Sequence, residues 1–255
     1  MIAIVTGASS GLGAECARQL DRESLRELWL VARDSERLQE VANSLSTPCR
    51  ILSCDLSNPD EIDRVIVAPL REENPVVRYC VNNAGFGKIG PMHQLDRSDM
   101  TTMVDVNCRA VVQLSHSVIP YMERGSALIH TSSIAGFMPL GGFAVYAATK
   151  AFVTSFSVAL QAELKDRGVH SIALCPGPIE TDFSRRAHIG SVRSESVMKK
   201  KGDPKKMIAK ALRDTKRHRS VSLYGLPYYG IRLLSKIASP YWLAKVSYDR
   251  IMKEK

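Results

Sequence analysis

From residue 2 to about residue 223 the chain alternates short apolar, β-branched runs with longer helical patterns, and no other feature restricts its fold as much. The strand candidates are 2–6, 28–32, 51–54, 79–82, 127–131 and 171–175, with 221–224 as a seventh. Several are apolar almost throughout, as strands covered on both faces are; a half-solvated strand would alternate. Between them lie helical stretches at 11–20, 35–45, 59–71, 98–122 and 147–166. Asp34 and Asn58 stand where caps for the second and third belong, and Pro59 suits a first helical position. Alternation of this kind needs right-handed crossovers and gives a parallel sheet with helices on both faces. The prediction is an α/β fold with a doubly wound parallel sheet of about seven strands.

With 255 residues, 45% of them hydrophobic, the chain is long enough for one large core, and it shows no internal repeat or low-complexity linker. No run of about 18 uncharged apolar residues occurs, which argues against a membrane-spanning helix. The opening Met1-Ile2-Ala3-Ile4 carries no basic leader, so the expected location is cytoplasmic. Cys16, Cys49, Cys54, Cys80, Cys108 and Cys175 lack metal-ligand spacing and read as core residues of a reducing compartment; no metal site is expected. The net charge of +9 is unevenly spread. Residues 185–219 hold 13 Lys/Arg against 3 Asp/Glu, whereas residues 1–184 are net acidic. A solvated helix and loop explain such a stretch; attraction of an anionic substrate, a membrane surface or nucleic acid are the sharper readings. Little aromatic interleaving and no binding motif accompany it, so no nucleic-acid partner is expected.

The first strand runs into Thr6-Gly7-Ala8-Ser9-Ser10-Gly11-Leu12-Gly13 and then a helix. Backbone amides at a helix start can approach a pyrophosphate only where side chains are absent, and Gly7, Gly11 and Gly13 meet that need. The spacing matches the general G-x-G-x-x-G fingerprint only in part. After the second strand come Ala32, Arg33, Asp34 and Arg37. Asp34 lies about 20 residues past the glycines and is a candidate for the ribose hydroxyl, yet it reads better as a helix cap. That leaves Arg33, with Arg37 behind it, for a 2′-phosphate, favouring NADP(H) over NAD(H). Asp55 and Leu56 follow the third strand at the edge where such sheets bind ligands, although Asp55 would also serve as a turn former. After the fourth, Asn82-Asn83-Ala84-Gly85 makes a small-residue corner with room for adenosine.

Tyr146 and Lys150, four residues apart, share a helical face. A phenol with a pKa near ~10 is a poor acid–base group at neutral pH; a neighbouring ammonium favours its ionised form. Such pairs are also common on surfaces. Ser133, thirteen residues earlier at the end of the fifth strand, could hold a substrate oxygen beside the phenol. Asn107, inside an apolar helical stretch, reads either as a satisfied amide at a kink or as the holder of a water that links Lys150 to solvent. After the sixth strand, Pro176, Gly177, Pro178, Ile179 and Thr181 form a stiff loop, and Thr181 could meet a nicotinamide amide.

In order and approximate spacing these motifs resemble the short-chain dehydrogenase/reductase family over residues 1–224. The resemblance implies a Rossmann-type fold and a tetrad of Asn107, Ser133, Tyr146 and Lys150, with Lys150 bonding the nicotinamide ribose. It also implies cofactor contacts from Gly7, Ser9, Ser10, Gly11, Leu12, Gly13, Arg33, Arg37, Asp55, Leu56, Asn83, Ala84, Gly85, Pro176, Gly177, Ile179 and Thr181. Ala32 followed by Arg33 looks like the NADP-preferring branch. The implied activity is NADPH-dependent interconversion of a ketone or aldehyde with an alcohol. A non-catalytic NADP-binding sensor, or a module using the basic stretch, is the rival. A homodimer through helices 98–122 and 147–166 is implied, and the tail puts tetramers in doubt.

Residues 181–203 are the expected substrate loop, and Phe86, Met92, Phe137, Met138, Leu140 and Phe143 hint at a bulky apolar carbonyl such as a steroid or lipid ketone. The chain departs from the family in residues 225–255, an extension with two apolar-faced helical patterns. It would cover the substrate mouth, touch a membrane surface or bind a partner.

Overall fold

The computed structural model describes residues 1–179 and 202–252. Seven parallel strands form one sheet in the order β3-β2-β1-β4-β5-β6-β7. They are β1 (Ile2–Thr6), β2 (Glu27–Ala32), β3 (Cys49–Ser53), β4 (Val77–Asn82), β5 (Ala127–Thr131), β6 (His170–Cys175) and β7 (Val221–Leu223). All seven anticipated strands are present, within two residues at each end. Because the chain travels outward from β1 to β3 and then returns to place β4 beside β1, the strand order reverses there, and a crevice opens at the strands' carboxyl ends.

Full burial of β1 conceals its two-residue period, which the packing reveals. Ile2 and Ile4 join Trp29 and Val31 in one core, whereas Ala3 and Val5 join Leu28 and Leu30 in another on the opposite face. Helices α1 (Gly11–Leu20) and α2 (Ser35–Ala42) cover the second face. The Asp34 side chain accepts a hydrogen bond from the Arg37 amide, so Asp34 caps α2. Asn58 caps the next helix by accepting from the Asp60 and Glu61 amides.

Two helical stretches differ from expectation. Residues 59–71 begin as α3 (Pro59–Ile62), widen into a π-helical turn at Asp63–Val67 and continue as α4 (Ala68–Glu73). The stretch 98–122 divides in the same way: α5 (Arg97–Val104), a π-helical turn at Asp105–Arg109, then α6 (Ala110–Val118) and a short 3-10 turn. Such wide turns mark places where a side chain is aimed off the regular helical face, and Asn107 lies in the second. Helix α7 (Ala144–Glu163) starts three residues before its expected beginning, and α2 ends three residues early. Helix α8 (Pro204–Lys216) precedes β7 and is tied to it through buried Asp214, which pairs with Lys210 and accepts from Ser222 Oγ at 2.7 Å. Beyond β7, α9 (Leu226–Ile237) and α10 (Pro240–Met252) form the C-terminal extension. Among the described residues no helix is long and apolar enough to cross a membrane.

Candidate active site

The loops after β1, β4, β5 and β6 meet at the carboxyl edge, and a hydroxyl–amide network fixes them. Thr6 Oγ1 accepts from the Asn83 and Ala84 amides at 2.9 and 3.1 Å. The Asn83 side-chain amide donates back to the Thr6 carbonyl, and its Oδ1 accepts from Thr131 Oγ1 at 3.3 Å. Three strand ends are thereby held in one register. Gly7 adopts φ +64°, and a Cβ on Gly13 would run into the Gly7 carbonyl oxygen and approach Asn83 Nδ2 to 2.6 Å. Only glycine lets the turn close this tightly. Helix α1 begins immediately beyond, with no side-chain cap from Ser10 and no acid in its first turn. A positive helix end and a tight glycine turn with only small side chains fit the phosphate of a dinucleotide.

At the end of β2, Arg33 is exposed and its guanidinium draws on Asp55. Burial pushes the Asp55 carboxyl up, but hydrogen bonds from the Ser57 amide and hydroxyl, with Arg33 nearby, outweigh it and leave the group below its ordinary value. Asp55 therefore does form the turn that its position allowed. Arg37 pairs with Asp34 at 3.5 Å. Leu56 is buried. Thr181 and nearly all of the anticipated substrate loop lie outside the described residues.

Asn107, Ser133, Tyr146 and Lys150 are all buried and lie together. Ser133 hydrogen-bonds the Tyr146 hydroxyl, and its own Oγ accepts from the Ala135 amide at 3.1 Å. Burial pushes the Tyr146 phenol up to about 12, and the Ser133 bond offsets this only in part. The ammonium of Lys150 lies 5.7 Å from the centre of the Tyr146 ring and donates to the Thr131 carbonyl at 2.8 Å. Loss of water brings Lys150 down to about 8. The sequence pattern suggests a phenol softened by its lysine; burial acts on the phenol in the opposite direction.

Asn107 is held by three hydrogen bonds. Its Oδ1 accepts from the Phe86 amide at 3.1 Å, and its Nδ2 donates to the Phe86 carbonyl at 2.9 Å and to Thr149 Oγ1 at 3.1 Å. Thr149 in turn donates to the Tyr146 carbonyl at 2.8 Å. Gly85 bridges the groups, since a Cβ there would lie 2.8 Å from Asn107 Oδ1 and 3.2 Å from Lys150 Nζ. Thr131 and Thr149 were not singled out from the sequence, and Phe143 was read only as a pocket-lining residue. Phe143 packs on the Tyr146 ring, with Phe86, Leu140, Met100 and Met103 around it. Phe137 instead lies beneath the Arg232 guanidinium, 5.6 Å from ring centre to charge. A cleft of about 180 Å³ opens beside these groups, lined by Met92, Leu95, Met100, Val145 and Tyr248 among others. No group of His, Cys, Asp and Glu among the described residues could hold a metal ion.

A family model described as short chain dehydrogenase matches residues 1–190. The chain belongs to the short-chain dehydrogenase family. Sulfoacetaldehyde reductase 2 of Chromohalobacter salexigens is 35% identical over 188 residues, spanning 72% of this chain and 74% of that protein. A protein of Escherichia coli named NADP-dependent 3-hydroxy acid dehydrogenase is also 35% identical over 188 residues, 72% of this chain and 75% of the other. Among solved structures, a short-chain dehydrogenase from Sphingobium yanoikuyae in complex with NADPH superposes with a TM-score of 0.76 at 27% identity, covering 93% of this chain and 96% of that one. As a short-chain dehydrogenase the protein is an oxidoreductase of the Rossmann type, and its seven-stranded sheet is the architecture on which the buried Tyr146 cluster is mounted.

Proposed function

We propose that this enzyme reduces a ketone or aldehyde to an alcohol with NADPH, and reverses the reaction with NADP⁺. The observation that carries the reading is a buried tyrosine, hydrogen-bonded by Ser133 and flanked by Lys150, at the sheet edge that also bears the glycine turn. The bound dinucleotide supplies or accepts the hydride at its nicotinamide ring. Gly7, Ser9, Ser10, Gly11, Leu12 and Gly13 would hold its pyrophosphate, Arg33 with Arg37 its 2′-phosphate, and Asp55, Leu56, Asn83, Ala84 and Gly85 its adenosine end. Lys150 would hold the nicotinamide ribose, with Pro176, Gly177, Ile179 and Thr181 around the ring. NADP(H) is supported by Arg33 and by the names of the relatives that bind it.

In this reading Tyr146 donates its proton to the carbonyl oxygen. A phenol near pKa 12 is fully protonated at neutral pH, which is the form that reduction needs. Ser133 steers the oxygen toward the phenol, and Asn107 fixes the Phe86 backbone and reaches Tyr146 through Thr149, beside the Lys150 ammonium, from which protons return. Tyr146→Phe removes the transferable proton while keeping the ring. Carbonyl-dependent NADPH oxidation should fall by about a thousandfold or more with NADPH affinity preserved. Turnover within tenfold of wild type would defeat the assignment.

The cleft combines apolar Met92, Leu95, Met100 and Val145 with Lys88 and His93, which supports a carbonyl substrate having both an apolar and a polar or anionic part. The relatives' names add short acidic carbonyls to the panel. For assembly we place a second copy on α5–α7, where Val104, Val112, Phe152 and Val158 are exposed. Sedimentation of Phe152→Asp should show a monomer. Exposed Leu233, Ile237, Tyr241 and Trp242 beside Lys236 and Lys245 support peripheral contact of the tail with an anionic bilayer. Failure to sediment with anionic vesicles at low salt removes that contact. Six free cysteines support a cytoplasmic location.

A further inference from the structure

The connection from Ser133 to Tyr146 is gripped from outside by the C-terminal extension. The Gly141 amide donates to Ser247 Oγ at 2.8 Å, while the Ser247 hydroxyl donates its single proton to the Ala244 carbonyl at 2.8 Å. With that proton committed to its own helix, the oxygen is left as an acceptor for Gly141. The approach is close. A Cβ on Gly141 would lie 2.5 Å from Tyr248 Cβ and 2.6 Å from the Ala244 carbonyl oxygen, so α10 rests directly on the backbone of the connection. On the other side, the Gly142 carbonyl accepts from the Gly90 amide at 2.8 Å.

Three segments distant in sequence thus close around the cleft: Lys88, Met92, His93 and Leu95 from one, Val145 from the second and Tyr248 from the tail. Met100 lines the cleft and belongs to the same apolar cluster as Tyr146, so the cleft adjoins the packing around the catalytic ring. Tyr248 is the wall that neither the sheet nor α7 can supply. We propose that Tyr248 is a specificity-determining residue, admitting compact apolar substituents and excluding long or branched ones, and that the Ser247–Gly141 bond holds it in place. This rests on the carbonyl-reduction reading.

The test is steady-state NADPH oxidation by the full chain on a series of methyl ketones of increasing length and branching. Tyr248→Ala should shift kcat/KM toward the bulkiest members by about tenfold relative to the smallest, with the NADPH KM unchanged. Tyr248→Phe should keep the wild-type ranking, because the ring and not the hydroxyl sets the limit. Ser247→Ala should move the ranking as Tyr248→Ala does, to a smaller extent. Tyr248→Leu retains more of the helix's apolar contact and carries the same expectation should the alanine variant fail to fold. An active wild type whose ranking survives the alanine and leucine changes, or whose substrates all weaken equally, overturns this proposal alone. A wild type that binds NADPH but turns over no carbonyl overturns the reduction reading and this one with it.

Discussion

Phe143 lies nearly flat on Tyr146, with ring centroids 4.3 Å apart and planes 19° from parallel. Phe143 ends the glycine-rich connection and stands one residue ahead of α7, so the residue that opens the helix also shields its phenol from water. Burial is what drives the Tyr146 pKa to about 12. Phe143→Ala should let water in and bring the phenol back toward ~10. Alcohol oxidation needs the ionised phenol, so its alkaline limb should move to lower pH. Carbonyl reduction at pH 7 should lose about tenfold as the ring loses its support. The pH profiles of both directions check this, and an unmoved limb would show that Phe143 does not set the phenol's environment.

Arg33 is exposed at the end of β2, while its neighbour Asp34 is occupied in capping α2. A capping carboxylate bonded to the Arg37 amide is poorly placed to serve a ribose hydroxyl as well, which leaves the cation to meet a phosphate. Arg33→Ala should raise the KM for NADPH by about tenfold or more, the cost of one charge-assisted hydrogen bond, while NADH changes by no more than about twofold. Equal losses with both cofactors would point to damage in the turn rather than to phosphate recognition.

Asn107 ties the Phe86 amide and carbonyl to Thr149, and no solvent reaches it. Asn107→Ala leaves buried partners without a bond, at a cost of about 2–3 kcal/mol. For a chain of this size that lowers Tm by about 5 °C. Turnover should fall as well, because the Phe86 backbone and the start of α7 lose their common tether. Thermal unfolding monitored by circular dichroism reads the first effect, and kcat the second.

How far the sequence reveals such a site depends on the range of the contacts. β1, the glycine turn and the Tyr146/Lys150 pair are local patterns of composition and period, and all were legible. Asn107 was legible as an oddity, since an amide in an apolar stretch demands a partner, but the π-helical turn that aims it at Phe86 has no sequence signature. Phe143 read as a hydrophobic residue near a pocket; that it would stack on Tyr146 depends on how the connection returns. The Ser247–Gly141 bond spans 106 positions, and no spacing rule reaches so far. The adjacency of Tyr146 and Lys150 on a helix shows in the sequence, whereas the burial of both groups, which depends on the returning connection, does not.

Burial of Lys150 has a consequence for stability that can be read against pH. Its folded pKa is about 8, below the ordinary 10.5, so between those values the unfolded chain binds a proton that the folded chain does not. Stability from this group therefore rises with pH across that window, and below about pH 8 the full cost of burying the ammonium is present. Other groups act in the opposite sense. Buried Cys16, Cys54 and Cys80 are pushed up to about 12 from 9.0, so above pH 9 they lower stability, and Tyr146 does the same above 10. A wild-type profile alone would mix these effects; the difference between Lys150→Met and wild type cancels the shared background. The variant also loses the hydrogen bond to the Thr131 carbonyl, a penalty that does not vary with pH. The stability of Lys150→Met relative to wild type should thus fall by about 2 kcal/mol between pH 7 and pH 9.5, whatever its starting sign. Urea unfolding at the two pH values measures it, and a constant difference would mean that Lys150 keeps its ordinary pKa in the folded protein.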